Sequence, residues 1–231
     1  MRIFSDVLDL IFPKSCLVCD SHIEKGVICT SCYSQLLTMT SQVCNICGTH
    51  LKDNKCEVCE EETFYFDKAV SIYEYNNILK SLIHNFKYQE FTVISKFFAE
   101  EISSKSIFLN ELDENFEIIP VPMHSVKKRQ RGYNQAEVFA KDLSFYTNMK
   151  LNSKLTYRNR FTQTQTKLNK SERHQNLKNA FGFRKKYFNK DKFLVVDDVF
   201  TTGSTVNELS KLLIDNGAKE INVLTIARAI K

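Results

Sequence analysis

An α/β fold built on a parallel sheet, preceded by a small metal-stabilised module, is what this sequence predicts. Three observations carry that expectation. All eight cysteines fall between positions 16 and 59, which separates a cysteine-rich head from a cysteine-free body. Roughly the last forty residues read strand, helix, strand, the βαβ unit of a parallel sheet. A chain of 231 residues has room for one core of about 150 to 170 residues and an accessory module.

From the N-terminus, Ile3, Phe4, Val7, Leu8, Leu10, Ile11 and Phe12 are apolar but are broken by Asp6 and Asp9, with no small-residue cleavage site. This stretch reads as an amphipathic helix packed on the protein. No apolar run reaches the roughly 18 residues of a membrane span. Membrane insertion is therefore not expected, and the chain reads as cytoplasmic.

The cysteines form four CxxC pairs: Cys16/Cys19, Cys29/Cys32, Cys44/Cys47 and Cys56/Cys59. Each pair puts two thiolates on one tight turn, and two such turns complete a tetrahedral tetrathiolate site. Eight ligands are enough for two zinc ions, with Gly26 and Gly48 giving the turns backbone freedom. Disulfides fit poorly without an export signal. Iron–sulfur spacings differ, and one redox CxxC does not account for four. Sequential pairing (16/19/29/32 and 44/47/56/59) is the simplest arrangement, and a crossed one fits the same spacings. So small a module buries little apolar surface, so the metal is expected to be structural and to supply folding energy.

Glu60, Glu61 and Glu62 close the head, and Phe64, Tyr65 and Phe66 reopen apolar chain. The expected domains are therefore 1–62 and 63–231. Ala69 to Tyr75 reads as a strand, and Leu79, Leu82, Ile83 and Phe86 recur at helical spacing. Phe116 to Pro122 reads as a buried strand entering a rigid loop, with a helix through Ala136, Phe139, Ala140 and Leu143. Residues 156–180 are polar and weakly periodic, and read as a long loop of the kind that carries function. Phe193 to Val196 is a strand, Val206, Leu209, Leu212 and Leu213 mark the inner face of a helix capped by Gly217, and Ile221 to Ala227 is the last strand.

The net charge of +5 hides segregation. Residues 1–62 hold 5 Lys/Arg against 9 Asp/Glu, while residues 120–190 hold 17 against 3. Such a basic region points to a polyanionic partner. Its interleaved aromatics (Tyr133, Tyr157, Phe161, Phe181, Phe183, Tyr187) suit stacking on unpaired bases, although periodicity places some of them in the core.

The segment Val195 to Thr205 has its own chemistry. A strand delivers Asp197 and Asp198 to its C-terminal edge, where open α/β sheets bind ligands. Thr201, Thr202, Gly203, Ser204 and Thr205 then meet a helix N-terminus whose amides favour an anion. Acids beside an anion cradle make sense for a sugar phosphate, whose hydroxyls donate to the carboxylates.

This run resembles the PRPP (phosphoribosyl pyrophosphate) fingerprint of type I phosphoribosyltransferases. The resemblance implies that fold, with a central parallel sheet flanked by helices. It implies catalytic Asp197 and Asp198 on the ribose 2′ and 3′ hydroxyls, and Val199, Phe200 and Thr201 to Thr205 around the 5′-phosphate. The whole motif order is similar to the ComF/ComFC family, with its competence proteins and GntX-like relatives. That order is the cysteine knuckles, Pro120-Val121-Pro122, then Arg129-x-Arg131-Gly132-Tyr133-Asn134-Gln135-Ala136. Arg158, Thr162, Gln165, Leu168, Arg173 and Asn176 follow, and then the PRPP loop. Ser204 departs from the usual alanine.

By this resemblance Val121, Pro122 and Met123, with Arg129 or Arg131 and Lys127 nearby, form a pyrophosphate loop. Arg158, Thr162, Gln165 and Arg173 belong to a flexible lid, and Mg²⁺ accompanies PRPP. The implied role is the handling of single-stranded DNA in natural transformation, with Lys127, Lys128, Arg129 and Arg131 as its nucleic-acid contacts. An active phosphoribosyltransferase acting on a base, and a zinc-knuckle adaptor to DNA-uptake machinery with a PRPP-sensing site, are the alternatives. Arg160 and Lys87 carry no signal beyond their charge.

Overall fold

The computed structural model describes residues 14–39, 42–88, 92–160 and 179–229. The amphipathic N-terminal stretch and Phe161, Thr162, Gln165, Leu168, Arg173 and Asn176 lie outside them. In chain order the elements are α1 (Thr30–Tyr33), α2 (Glu57–Glu61), β1 (Lys68–Glu74), α3 (Asn77–Tyr88), α4 (Val93–Lys105), α5 (Ile107–Glu111) and β2 (Phe116–Pro120). Then come α6 (Ser125–Arg131), α7 (Gln135–Thr147), β3 (Lys150–Leu151), β4 (Thr156–Arg158), β5 (Phe181–Phe183), β6 (Lys192–Phe200), α8 (Ser204–Asp215) and β7 (Glu220–Arg228).

The central sheet is parallel throughout, in the order β1-β7-β6-β2-β3. Being central and covered on both sides, β6 is apolar on both faces, as a buried parallel strand must be. Leu194 and Val196 face α3, α4 and α7 through Leu82, Phe86, Phe98 and Phe139. Phe193 and Val195 face α8 through Val206, Leu209 and Leu213. Helix α8 ends in a Schellman motif: Ala218 N–H donates to Leu213 O at 3.0 Å and Gly217 N–H to Ile214 O at 2.9 Å, with Gly217 at φ +103°.

Three features differ from expectation. Strand β6 does not end at Val196 but carries both acids and runs on to Phe200, because β7 pairs with it as far as Phe200↔Arg228. Residues 156–180 do not begin as loop: β4 pairs antiparallel with β5, a two-stranded ribbon over the α8 face. Helix α4 was not anticipated, although Ile94, Phe98 and Ile102 recur at helical spacing and are fully buried.

The cysteine-rich head lies along the open edge of β1. Met39 N–H donates to Ile72 O at 2.9 Å and Ala69 N–H to Ile46 O at 2.7 Å. Gly48 sits so close that a Cβ would meet Ala69 O at 2.7 Å. The head thus covers a strand edge that would otherwise present unpaired backbone groups.

Candidate functional site

The thiols gather into two quartets, Cys16/Cys19/Cys29/Cys32 and Cys44/Cys47/Cys56/Cys59, each with its sulfurs within 4.8 Å of one another. Sequential pairing, not crossed, is therefore the arrangement. The separations of 3.7 Å for Cys19–Cys29, 3.6 Å for Cys44–Cys59 and 3.5 Å for Cys47–Cys56 match the edge of about 3.8 Å of a tetrahedron with zinc–sulfur bonds of about 2.3 Å. They are far from a disulfide bond of about 2.05 Å. Within each quartet the thiols titrate apart. Burial, then neighbouring thiolates, push Cys32 and Cys59 up, while the Cys32 amide pulls Cys29 down to about 6. Four thiolates so close together need a dication, and the donor set fits a structural zinc ion in each quartet.

At the C-terminal edge of the sheet, β2 ends opposite Val196 and turns away at Val121, while β7 continues beside β6. A crevice opens where Asp197 and Asp198 emerge, the place where open α/β sheets take ligands. Strand alternation sends the two acids to opposite faces. Asp198 meets Lys87, from the last turn of α3, with Nζ 2.6 Å from Oδ2. Burial alone would lower the Lys87 pKa, but Asp198 outweighs it and holds the ammonium above its ordinary value. On the α8 face, desolvation and then the Asp198 charge push Asp197 up to about 7, against the opposing pull of its own bond from Asp198 N–H, Lys87 and Arg158. Lys87 thus joins the acids with no motif to announce it, because its position depends on the packing of α3 on the sheet.

The loop that follows is shaped by Gly203. It takes φ +77°, and a Cβ there would lie 2.5 Å from the Phe200 ring and 3.2 Å from Phe64. Thr201 is exposed, and Thr202 Oγ1 lies 2.8 Å from Ser204 Oγ. Ser204 and Thr205 form the first turn of α8, where the Ser204 N–H donates to Thr202 Oγ1 at 3.4 Å. Phe200 packs its ring in the core against Phe64 and Phe66, leaving only its backbone for a ligand, and Val199 is half-buried. Asn207 ties this helix to the chain leaving the head: its Oδ1 accepts from Tyr65 N–H at 2.7 Å and its Nδ2 donates to Thr63 O at 2.9 Å.

Across the crevice, Val121 N–H donates to Val196 O, and Asn134 Nδ2 holds Val121 O at 3.0 Å. Pro122 and Met123 follow, and His124 caps α6 by accepting from Val126 N–H. Helix geometry divides the basic run. Lys127 and Arg131, four apart, are half-buried, whereas Lys128 and Arg129 are exposed, with Lys128 paired to Glu137 at 2.6 Å. Burial, then Arg158 and Arg131, lower the Lys127 pKa, while burial lowers that of Arg158 against the pull of Asp197.

Of the aromatics, Phe181 is core and Tyr133 packs on Phe86 and donates to its carbonyl. Tyr157 is exposed, with the Arg184 guanidinium 4.4 Å from its ring centroid. Phe183 and Tyr187 are half-buried.

The family model of the double zinc ribbon domain matches residues 7–63. Competence protein F of Haemophilus influenzae is 34% identical, over 94% of this chain and 98% of its own length. The chain belongs to the ComF family. Two further relatives are Competence protein ComFC of Bacillus subtilis, 26% identical over 93% of this chain and 95% of its own, and DNA utilization protein YhgH of Escherichia coli K12. The latter is 29% identical over 96% of this chain and 100% of its own length. In this ComF protein the ribbon match and the two quartets agree on two structural zinc ions. Among the described residues, no helix is long and apolar enough to cross a membrane.

Proposed function

We propose that this ComF protein binds PRPP and, in the cytoplasm, handles single-stranded DNA in natural transformation. The observation that carries the reading is the pairing of Asp197 and Asp198 at the edge of β6 with the glycine-shaped N-terminus of α8. The half-buried Lys127, Arg131 and Arg158 lie within electrostatic reach of one another, and Arg158 within reach of Asp197. The acids accept from the ribose hydroxyls, and the amides and hydroxyls of Thr201 to Thr205 hold the 5′-phosphate. Backbone amides after Val121 and the crowded cations take the pyrophosphate. Mg²⁺ accompanying PRPP would supply neutralisation of the pyrophosphate charge. Residues 63–231 form the phosphoribosyl-binding unit and 1–62 the zinc module. Arg158, at the end of β4, is the described member of the segment that the resemblance assigns to a lid; Thr162, Gln165 and Arg173 lie outside the described residues.

The DNA role draws on the competence and DNA utilization proteins to which this chain is similar and on surface chemistry. Lys128 and Arg129 face solvent, and Tyr157 backed by Arg184 offers a stacking platform. Calorimetric titration of PRPP with Mg²⁺ into the zinc-loaded chain tests the phosphoribosyl reading. Micromolar binding, abolished in Asp197→Asn/Asp198→Asn, is expected. Absence of heat in the wild type alongside tight, salt-dependent oligonucleotide binding would reduce the fold to a DNA scaffold.

A further inference from the structure

The two cysteine quartets differ in how far solvent reaches them. Among the described residues, which include all eight cysteines, Cys19 is the one exposed thiol. In the same quartet Cys16 and Cys32 are buried, packed with Ile23 on the inner side of the ribbon. In the second quartet Cys44 and Cys47 are buried, and Cys56 and Cys59 are half-buried. Its first knuckle presses on the sheet: Ile46 O accepts from Ala69 N–H at 2.7 Å, and Cys47 O accepts from Arg228. We propose that Cys19 is a site of oxidation by hydroperoxides, resolved as a disulfide with Cys29. Oxidation there releases the first zinc ion and leaves the second in place.

Access and chemistry coincide at Cys19. Zinc keeps a coordinating thiol deprotonated, and the thiolate, not the thiol, is the nucleophile. Oxidation follows thiolate character and exposure, and a reversible site has a resolving sulfur beside it. Cys29, from the facing knuckle, supplies that sulfur: its Sγ lies 3.7 Å from Cys19 Sγ. A disulfide bond of about 2.05 Å then needs an approach of less than about 2 Å. Ser21 Oγ lies 3.2 Å from Cys19 Sγ but is itself exposed, so it does not close the sulfur off from solvent.

The steps balance with a hydroperoxide as the oxidant. The Cys19 thiolate attacks one oxygen of hydrogen peroxide, the O–O bond breaks, hydroxide leaves, and Cys19 becomes a sulfenic acid. The Cys29 thiolate attacks that sulfur, the S–S bond forms, and a second hydroxide leaves. Two electrons have passed from sulfur to peroxide. The zinc ion, left with Cys16 and Cys32 alone, departs. The knuckles it held place Leu17 O on Asn85 and Tyr33 on Glu101, so oxidation loosens the first ribbon from α3 and α4.

The zinc-loaded full chain is treated with hydrogen peroxide. Released zinc is followed with a chromogenic chelator, and disulfides are mapped by mass spectrometry of acid-quenched, alkylated peptides. The expected result is a first phase that frees one zinc per chain together with a Cys19–Cys29 disulfide. The second zinc should leave about tenfold more slowly or less. Dithiothreitol with added zinc should restore two per chain. Cys19→His keeps a zinc ligand without a sulfur, so it should load two zinc ions and lose the fast phase. If that variant does not load both, the wild-type disulfide map decides alone. Release of both ions at one rate, earlier oxidation of the second quartet, or a first disulfide that omits Cys19 or Cys29 would overturn the assignment. So would a fast phase that persists in fully loaded Cys19→His.

Discussion

Asp197 is held in a state that folding disfavours. Desolvation and the neighbouring Asp198 lift its pKa from 3.8 to about 7. Between those values the folded chain keeps a proton that the unfolded chain has released. The contribution of Asp197 to stability therefore falls as pH rises through that window and levels off above about 7. Asp197→Asn, which carries no charge, should be more stable than the wild type. Its gain should be small near pH 4, grow with pH and flatten above about 7, as read from denaturant midpoints across pH. A gain independent of pH would mean that Asp197 is ionised without penalty. Strain of this kind at one acid, next to an acid paired with Lys87, accords with the proposed phosphoribosyl site, where perturbed carboxylates gather.

The elements that carry the site differ in how openly the sequence announces them. The β6–α8–β7 unit was readable, because apolar runs, a glycine-bearing hydroxyl loop and a capping glycine each have a local cause. The two quartets were readable in membership but not in pairing, since CxxC spacing fixes neighbours on one turn and leaves open which turns meet. The β4–β5 ribbon was hidden: each strand is three residues long, and its partner lies more than twenty residues away. The Lys87–Asp198 pair depends on how separate elements pack, which periodicity does not record. Gly203 gives the element scale its test. Alanine there must adopt a left-handed conformation costing about 1–2 kcal/mol and must displace the Phe200 ring. Gly203→Ala should lower stability by at least that amount and weaken PRPP binding about tenfold or more. Unchanged affinity in calorimetry would show that the phosphate loop tolerates a different path.

At the scale of the whole molecule the two zinc sites are not equivalent. The first ribbon reaches the body through α3 and α4, away from the 201–205 loop: Asn85 Nδ2 donates to Leu17 O at 2.6 Å, and Tyr33 O–H to Glu101 at 2.6 Å. The second reaches the end of the sheet beside the 201–205 loop. Arg228, 5% exposed, donates to the Cys47 carbonyl and to Thr49 Oγ1, and stacks its guanidinium 4.3 Å from the centroid of Phe200. A zinc ion with four thiolates carries a net negative charge, so Arg228 also balances the second site electrostatically. Losing that zinc therefore removes the anchor of a buried cation that packs under the residue preceding Thr201. Cys44→Ser/Cys47→Ser and Cys16→Ser/Cys19→Ser should each lower zinc content to one per chain and reduce thermal stability. Only the first pair should weaken PRPP binding, by about tenfold or more. Equal losses from both pairs would make the ribbons a single structural block. A selective loss would make the second zinc a support of the phosphoribosyl site, reached through Arg228 and Phe200.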